Sequence, residues 1–358
     1  MRPIGLYLHV PFCATRCPYC DFYTKRPAEG ETDAYVERMT TELRRLRPEA
    51  IRADSVYFGG GTPSVLSGPQ TASLLETVRT SFVLSEDTEV TLECNPSSDL
   101  EHVLPAAAEA GVNRVSLGMQ SAVDAERKRL GRRADRARIL EALRIARDCG
   151  ITNLTLDVML GVPGQTLQSL EETLSFLTDT GVPHVSAYLL KLEEGTPFYR
   201  IRDRLDLPEE ETVTAMYMRT CEALEAAGLP QYEISNFARP GFESRHNLKY
   251  WRCEEYLGFG PAAHSYYGGR RFYQPADLAG FLDGSAEPVD DGPGGSFDER
   301  LMLALRLTEG YRGPVPEELR QKASESKMAP FVEVGDDFLR LTREGFLVSN
   351  TVIGDLLY

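Results

Sequence analysis

Apolar and polar residues alternate in short stretches along the first 190 residues. Leu6, Leu8 and Val10 share one face of a first strand, while Tyr7 and His9 point the other way. Val56 and Phe58 mark a second strand that runs into Gly59-Gly60-Gly61. Val90 and Leu92 mark a third, ending at Glu93, and Val115 and Leu117 a fourth, followed by Gly118-Met119-Gln120. Leu154 and Leu156 mark a fifth, ending at Asp157, and residues 184–190 read as a sixth. Between them the period changes. Val36, Met39, Leu43 and Leu46 recur at helical spacing, a short helix is predicted at 74–78, and Leu167, Leu170, Leu174 and Leu177 form a strongly periodic helix.

Strands separated by helices imply parallel β/α units, which close into a barrel or stack as an open sheet. In both, ligands sit beyond the carboxyl ends of the strands. The glycine-rich and polar positions gather at those ends: a cysteine cluster after the first strand, Gly59 to Thr62, Glu93, Gln120 and Asp157. Five segments far apart in sequence are thereby placed around one mouth.

Beyond residue 200 the pattern changes. A helix is expected at 209–227, a strand at 231–234, and an aromatic and glycine-rich loop from 236 to 267. Residues 283–296, dense in Gly, Pro and Asp, read as a linker. Leu301, Met302 and Leu305 suggest a helix, a second helix follows Pro316, a third is expected at 331–343, and 346–358 read as a hairpin turning at Asn350. Helices with a terminal hairpin make a small winged-helix-like module. The expected division is 1–200, an extension at 201–282, and a C-terminal unit at 297–358.

Composition narrows the function classes. The 358 residues carry a net charge of −15, which argues against non-specific binding to nucleic acid or anionic membranes. No run approaches the roughly 18 apolar residues needed to span a bilayer, and no leader-like apolar stretch precedes the first strand, so a cytoplasmic location is expected.

Seven cysteines are an odd count for a disulfide framework. Cys94, Cys149, Cys221 and Cys253 are scattered and read as small buried apolar residues. Cys13, Cys17 and Cys20 form a C-x3-C-x2-C run. Three thiolates on one loop can hold three irons of a [4Fe–4S] cubane, leaving the fourth iron without a protein ligand. S-adenosylmethionine (SAM) can fill that position with its amino and carboxylate groups. Structural zinc is the alternative, but zinc takes four N/S ligands, and no second cysteine pair exists. His9 lies in the preceding strand rather than on the loop. The pattern therefore favours a cluster over zinc or unligated thiols.

The string from Tyr7 to Cys20 resembles the radical SAM superfamily signature. Its flanks resemble the branch that contains oxygen-independent coproporphyrinogen III oxidase and the HemW heme chaperones. Tyr57-Phe58-Gly59-Gly60-Gly61-Thr62-Pro63, Glu93-Cys94-Asn95-Pro96, the segment from Ser116 to Ser121 and that from Asp157 to Thr166 carry the likeness through most of the chain. The resemblance implies an α/β fold: a partial (β/α)6 TIM-like radical SAM barrel with a C-terminal α+β winged-helix-like domain. It implies cluster ligation by Cys13, Cys17 and Cys20. It also implies SAM contacts from Tyr7, Tyr19, Gly60, Gly61, Thr62, Glu93, Gln120, Arg132 and Asp157. The residue types suit this, since glycines admit close backbone approach and Arg132 suits a carboxylate. One departure stands out: where the family pattern reads Leu-Gly-Arg-x-His, this chain has Ala134 in place of the histidine.

Two features separate the branch members. The oxidase pattern has a fourth cysteine two residues after the third, where this chain has Phe22, and a longer region before the cluster. His246-Asn247-Leu248-Lys249-Tyr250-Trp251 matches an H-N-x-x-Y-W motif associated with heme in the chaperones. Imidazole can ligate heme iron, Tyr250 and Trp251 could wall a porphyrin, and Arg245, Lys249 and Arg252 suit propionates. Chemistry alone favours a plainer role, in which His246 and Asn247 fasten the loop to the barrel and Trp251 is core. The motif shifts the expectation to heme contact by His246. His264 is a competing ligand read as structural, and His102 and His184 read as incidental.

The expected function is a heme carrier that keeps a SAM-coordinated cluster and passes heme to an acceptor hemoprotein. A homodimer driven by cluster or heme binding, and an electron donor should SAM be cleaved, complete the expected partners. The alternatives are radical decarboxylation of coproporphyrinogen and radical chemistry on another tetrapyrrole, such as reductive opening of heme.

Overall fold

A computed structural model describes residues 2–357, the side chain of Pro48 excepted. Six β/α units come first. In chain order they are β1 (Ile4–Val10), α1 (Glu31–Arg45), β2 (Arg52–Gly60), α2 (Gly68–Ser81), β3 (Val83–Cys94), α3 (Leu100–Glu109) and β4 (Arg114–Gln120). Then follow α4 (Asp124–Arg129), α5 (Arg136–Asp148), β5 (Asn153–Leu160), α6 (Leu167–Thr180), β6 (His184–Leu189), α7 (Pro197–Arg200) and α8 (Glu210–Ala226). All six strands found in the alternation pattern are present and pair in parallel in the order β1-β2-β3-β4-β5-β6.

The alternation explains the layers. Leu6, Leu8, Val10, Val56, Phe58, Leu92, Val115, Leu117 and Leu156 are fully buried. They lie on the strand face that packs against the helices, each worth roughly 1.5–3 kcal/mol of burial. The opposite face carries Tyr7, Ser55, Tyr57, Glu93, Arg114, Ser116, Thr155 and Asp157; across the interior Tyr57 donates to Glu93, Arg114 to Thr155 and Ser116 to Asp157. Helix ends are set locally. Ser67 and Gln70 form a capping box that starts α2 six residues before the predicted 74–78, and Gly181 at φ 66° stops α6.

The extension is far more ordered than a loop. Residues 231–234 make only isolated bridges, and the strand lies later, at β7 (Asn236–Ala238), antiparallel to β6. There follow α9 (Arg245–Trp251), β8 (Tyr256–Phe259), β9 (His264–Tyr267), β10 (Arg270–Tyr273), α10 (Leu278–Asp283) and β11 (Val289–Pro293). Strand β8 joins the sheet beside β1, in parallel, so the parallel run has seven strands. The complete order is β11-β10-β9-β8-β1-β2-β3-β4-β5-β6-β7, and the ends do not pair, which leaves the barrel partial. The expected linker at 283–296 contributes the edge strand β11.

In the C-terminal unit the predicted order is reversed. After α11 (Phe297–Ala304), β12 (Tyr311–Arg312) and α12 (Glu317–Ala323) come β13 (Val332–Val334) and β14 (Phe338–Leu341), where a helix was expected. The order of this small sheet is β12-β14-β13. The predicted terminal hairpin is instead α13 (Arg343–Leu347) and α14 (Ser349–Leu357), with Asn350 inside α14 and Tyr358 outside the described residues. Val352, Ile353 and Leu356 are the buried face of α14, a spacing of one and three that fits a helix. Leu301 and Leu305 are buried, but Met302 is 37% exposed and does not share their face.

Helix α9 closes the barrel at the amino ends of the strands. Ser55 pairs with Gly5 and Glu89 one layer below the Tyr7–Tyr57 pair, and α9 packs at that level. The Glu89 carboxylate accepts from the backbone N–H of Arg245 and of His246, both at 3.0 Å, satisfying the free amides of the helix start. Lys249 is buried and reaches Asp54 at 2.9 Å, Glu254 at 3.3 Å and the carbonyl of Pro3 at 3.1 Å. Arg245 pairs with Asp87 and Arg252 with Glu309. The basic cluster expected to meet propionates is therefore spent on the chain's own acids.

Removing Lys249 leaves Asp54 and Glu254, both partly open to solvent, without their cation. Lys249→Met is expected to lower the unfolding free energy by about 1–2 kcal/mol, read from urea midpoints. A loss below about 0.5 kcal/mol, the level of an ordinary surface change, would show that this pair does not hold the plug.

Candidate cofactor site at the mouth of the barrel

The loop after β1 carries the three cysteines, and its conformation is fixed from both sides. Cys13 N–H donates to the carbonyl of Lys25 at 2.9 Å, and Lys25 N–H to that of Pro11 at 2.8 Å, closing the loop at its base. The glycine run after β2 straps it from the side. Gly61 N–H donates to Val10 O at 2.8 Å, Thr62 N–H to Phe12 O at 2.7 Å, and the Thr62 hydroxyl meets Cys13 Sγ at 3.3 Å. Gly60 has φ 101°, and a Cβ there would stand 2.5 Å from the His9 ring, so no other residue fits.

One cavity of about 540 Å³ is lined by Cys13, Cys17 and Cys20 together with Tyr19, Gly60, Gly61, Thr62, Glu93, Gln120, Arg132 and Asp157. The strand-end segments do converge on one mouth. Gln120 reaches it from a left-handed backbone, φ 72°, at a register shift in β4; strain of this kind concentrates at functional sites. Arg132 donates to the Tyr19 hydroxyl at 2.8 Å. Ala134, at the position of the absent histidine, is buried against the core.

Tyr7 is placed differently from expectation. It does not line the cavity; its hydroxyl bonds His9 Nδ1 at 3.1 Å and its ring lies 6.2 Å from that of Tyr57. Tyr57 is the residue that sequence reasoning missed. Its hydroxyl donates to Glu93 Oε1 at 2.8 Å, and Ser116 likewise donates to Asp157 at 3.0 Å. Both are the inward members of strands whose outward members were recognised, so the alternation held the signal. Cys94 and Cys221 are buried as expected, whereas Cys149 and Cys253 are half-buried.

The electrostatics call for a cationic guest. Burial pushes the Glu93 carboxyl up to about 7, against the donated Tyr57 hydrogen bond and with Asp157 adding repulsion. Burial also raises Asp157, although Ser116, Ser186 and the guanidiniums of Arg114 and Arg132 oppose the shift. A cation entering the cavity would oppose the burial that raises both acids and favour their charged forms. Burial raises the thiols of Cys13 and Cys20 too, a cost that iron would offset by replacing the proton. Among the described residues no three His, Cys, Asp or Glu side chains converge as on a single ion. The residues present fit a cluster carrying SAM at its open iron. When bound, that pair supplies reductive cleavage of a carbon–sulfur bond.

His246 lies elsewhere. It is 1% exposed, at the barrel floor rather than the mouth. Nδ1 bonds the Ser55 hydroxyl at 2.9 Å and Nε2 the Tyr250 hydroxyl at 2.8 Å. Neither ring nitrogen is free in this structure, and the ring is walled by Gly5 and Tyr57, unlike the open imidazole expected of an axial heme ligand. His184 is likewise internal, between Thr155 and Tyr232, while His102 pairs with Asp99 on the surface. His264 is exposed and stacks on Tyr273, 5.2 Å between centroids.

The raised Glu93 carboxyl makes stability depend on pH. Its folded value, about 7, lies above the ordinary 4.5, so its stabilising share is full below 4.5 and is lost as pH rises through 7. Glu93→Gln removes that loss. The ligand-free variant should gain about 2–3 kcal/mol on wild type between about pH 5 and pH 8, read as the change in denaturant midpoints. Parallel pH profiles would show that Glu93 is not held neutral.

Comparison with known proteins matches this geometry. A family profile described as Radical SAM superfamily covers residues 7–177. The heme chaperone HemW of Mycobacterium tuberculosis is 37% identical over 99% of this chain and 95% of its own length. The HemW of Bacillus subtilis is 33% identical over 98% of each, and that of Escherichia coli 33% identical over 99% and 98%. Among solved structures, the coproporphyrinogen III oxidase HemN of Escherichia coli superposes with a TM-score of 0.84 over 99% of this chain and 90% of that one. At 20% identity that likeness speaks for the fold alone. With its cysteine loop, glycine strap and acidic strand ends in one mouth, and with full-length identity to these relatives, the chain belongs to the HemW branch of the radical SAM superfamily.

Proposed function

We propose that this protein is a heme carrier: it holds a [4Fe–4S] cluster on Cys13, Cys17 and Cys20, binds SAM at the open iron, and delivers heme to an acceptor hemoprotein. The observation that carries the reading is the full-length identity to relatives named heme chaperones, 37% and 33% with nearly all of both chains covered.

Three features support it. Phe22, 61% exposed, stands at the lip of the mouth where the oxidase pattern has a thiol. Tyr188 and Leu189, 42% and 39% exposed, lie on the same lip. Large apolar side chains left in water around one opening suit a flat apolar ligand. Beneath them Glu93, Asp157 and Arg132 suit the ammonium, ribose and carboxylate of SAM.

Anaerobically cluster-loaded protein, given SAM, a reductant and coproporphyrinogen III, is expected to release no carbon dioxide and form no protoporphyrinogen. Hemin titrated into the same protein should give a saturable, shifted Soret band. Product formation would sink the carrier reading. Changing Cys13, Cys17 or Cys20 to Ala should abolish the broad cluster absorbance, and wild-type iron content in all three variants would remove the cluster assignment.

A further inference from the structure

The interior of the barrel links its floor to its mouth through two stacked rings. The His246 imidazole lies against the Tyr57 ring, with centroids 5.2 Å apart and planes at 30°. Tyr57 in turn donates its hydroxyl to Glu93 Oε1 at 2.8 Å. The imidazole itself is fixed at both nitrogens, by Ser55 on β2 and by Tyr250 one turn along α9. It is fixed from below by Gly5, where a Cβ would stand only 3.0 Å from Cε1. Burial, helped by Lys249 and Arg114, depresses its basicity to about 3, so the ring is neutral and stacks without a charge.

We propose that His246 is a positioning residue for Glu93: it sets the plane of Tyr57, and Tyr57 aims the carboxylate into the mouth. His246 then serves the SAM site from the opposite end of the barrel. A tyrosine on an inward strand face has a preferred χ1 but a freely turning ring, and its hydroxyl lies far from Cα. A small rotation moves that hydroxyl out of reach of Glu93. The stacked imidazole removes the freedom, and α9, held by Glu89 and Lys249, keeps the imidazole in place. The inference rests on Glu93 being a SAM contact.

The test is a double-mutant cycle on anaerobic, cluster-loaded full-length protein, with SAM affinity read by calorimetry. Tyr57→Phe keeps the stack and removes the hydroxyl; His246→Ala removes the stack. Each should weaken SAM about tenfold, the value of one hydrogen bond to a charged group. The double variant should be no weaker than Tyr57→Phe alone, because both act through one contact. His246→Phe, which restores a ring against Tyr57 and cannot ligate iron, should bring SAM affinity back to within about threefold of wild type. Multiplicative losses in the double variant or unchanged SAM affinity in His246→Ala would each overturn the proposal. Glu93→Gln separates the two levels. If it leaves SAM affinity unchanged, the assignment of Glu93 has failed and the inference falls with it. If it weakens SAM while His246→Ala does not, only the inference fails.

Discussion

The inward faces of the parallel strands are polar, and everything else in the molecule answers to that. A buried polar group without a partner costs about 1–3 kcal/mol, and a buried charge more. Here the interior holds acids at 89, 93 and 157, a fully buried guanidinium at Arg114, and the histidines at 9, 184 and 246. The protein satisfies most of them by level, while Arg114 Nε has no partner. At the floor, α9 offers its free backbone amides to Glu89 and its imidazole to Ser55. In the middle, Arg114 donates to Thr155, which meets His184. At the mouth, Glu93 has the Tyr57 hydroxyl and the Gly60 amide, Asp157 the hydroxyls of Ser116 and Ser186, and both remain raised. The polarity that is silenced below is left available above, where a ligand can use it.

That gradient explains why the site sits at one end. The cysteine loop, the glycine strap and the strained Gln120 all lie at the carboxyl ends of the strands, where loops are free to carry chemistry. The floor is built for stability, with a buried lysine among carboxylates and an arginine on each side of α9 spent on an acid. The motif from His246 to Trp251 packs into that floor, with both ring nitrogens of His246 bonded.

The strands and the mouth were legible because alternation reports a layered sheet directly. Leu6, Leu8 and Val10 against Tyr7 and His9 already separate the helix-facing face from the interior. The helix α9 was not legible. Its buried residues are His246 and Lys249, three apart, and both are polar, so an apolar period cannot reveal them. Strand β8 was hidden for a related reason: Tyr256 to Phe259 are all buried, a short run that periodicity cannot separate from a loop segment. In the C-terminal unit, Phe331, Val332, Phe338, Leu339 and Leu341 fit either period. The turn at Gly335, whose N–H bonds Phe338 O at 2.9 Å, decided for a hairpin. Tyr57 was missed because it stands on the inward face of a strand recognised only by its outward one.

The central claim is that three cysteines leave one iron open for SAM in a mouth lined by Glu93, Arg132 and Asp157. The most direct measurement is pulsed electron-nuclear spectroscopy of the reduced cluster with SAM labelled with nitrogen-15 at its amine. Direct ligation is expected to give a strong nitrogen hyperfine coupling that vanishes on omitting SAM. A cluster spectrum indifferent to SAM, with no such coupling, would contradict it.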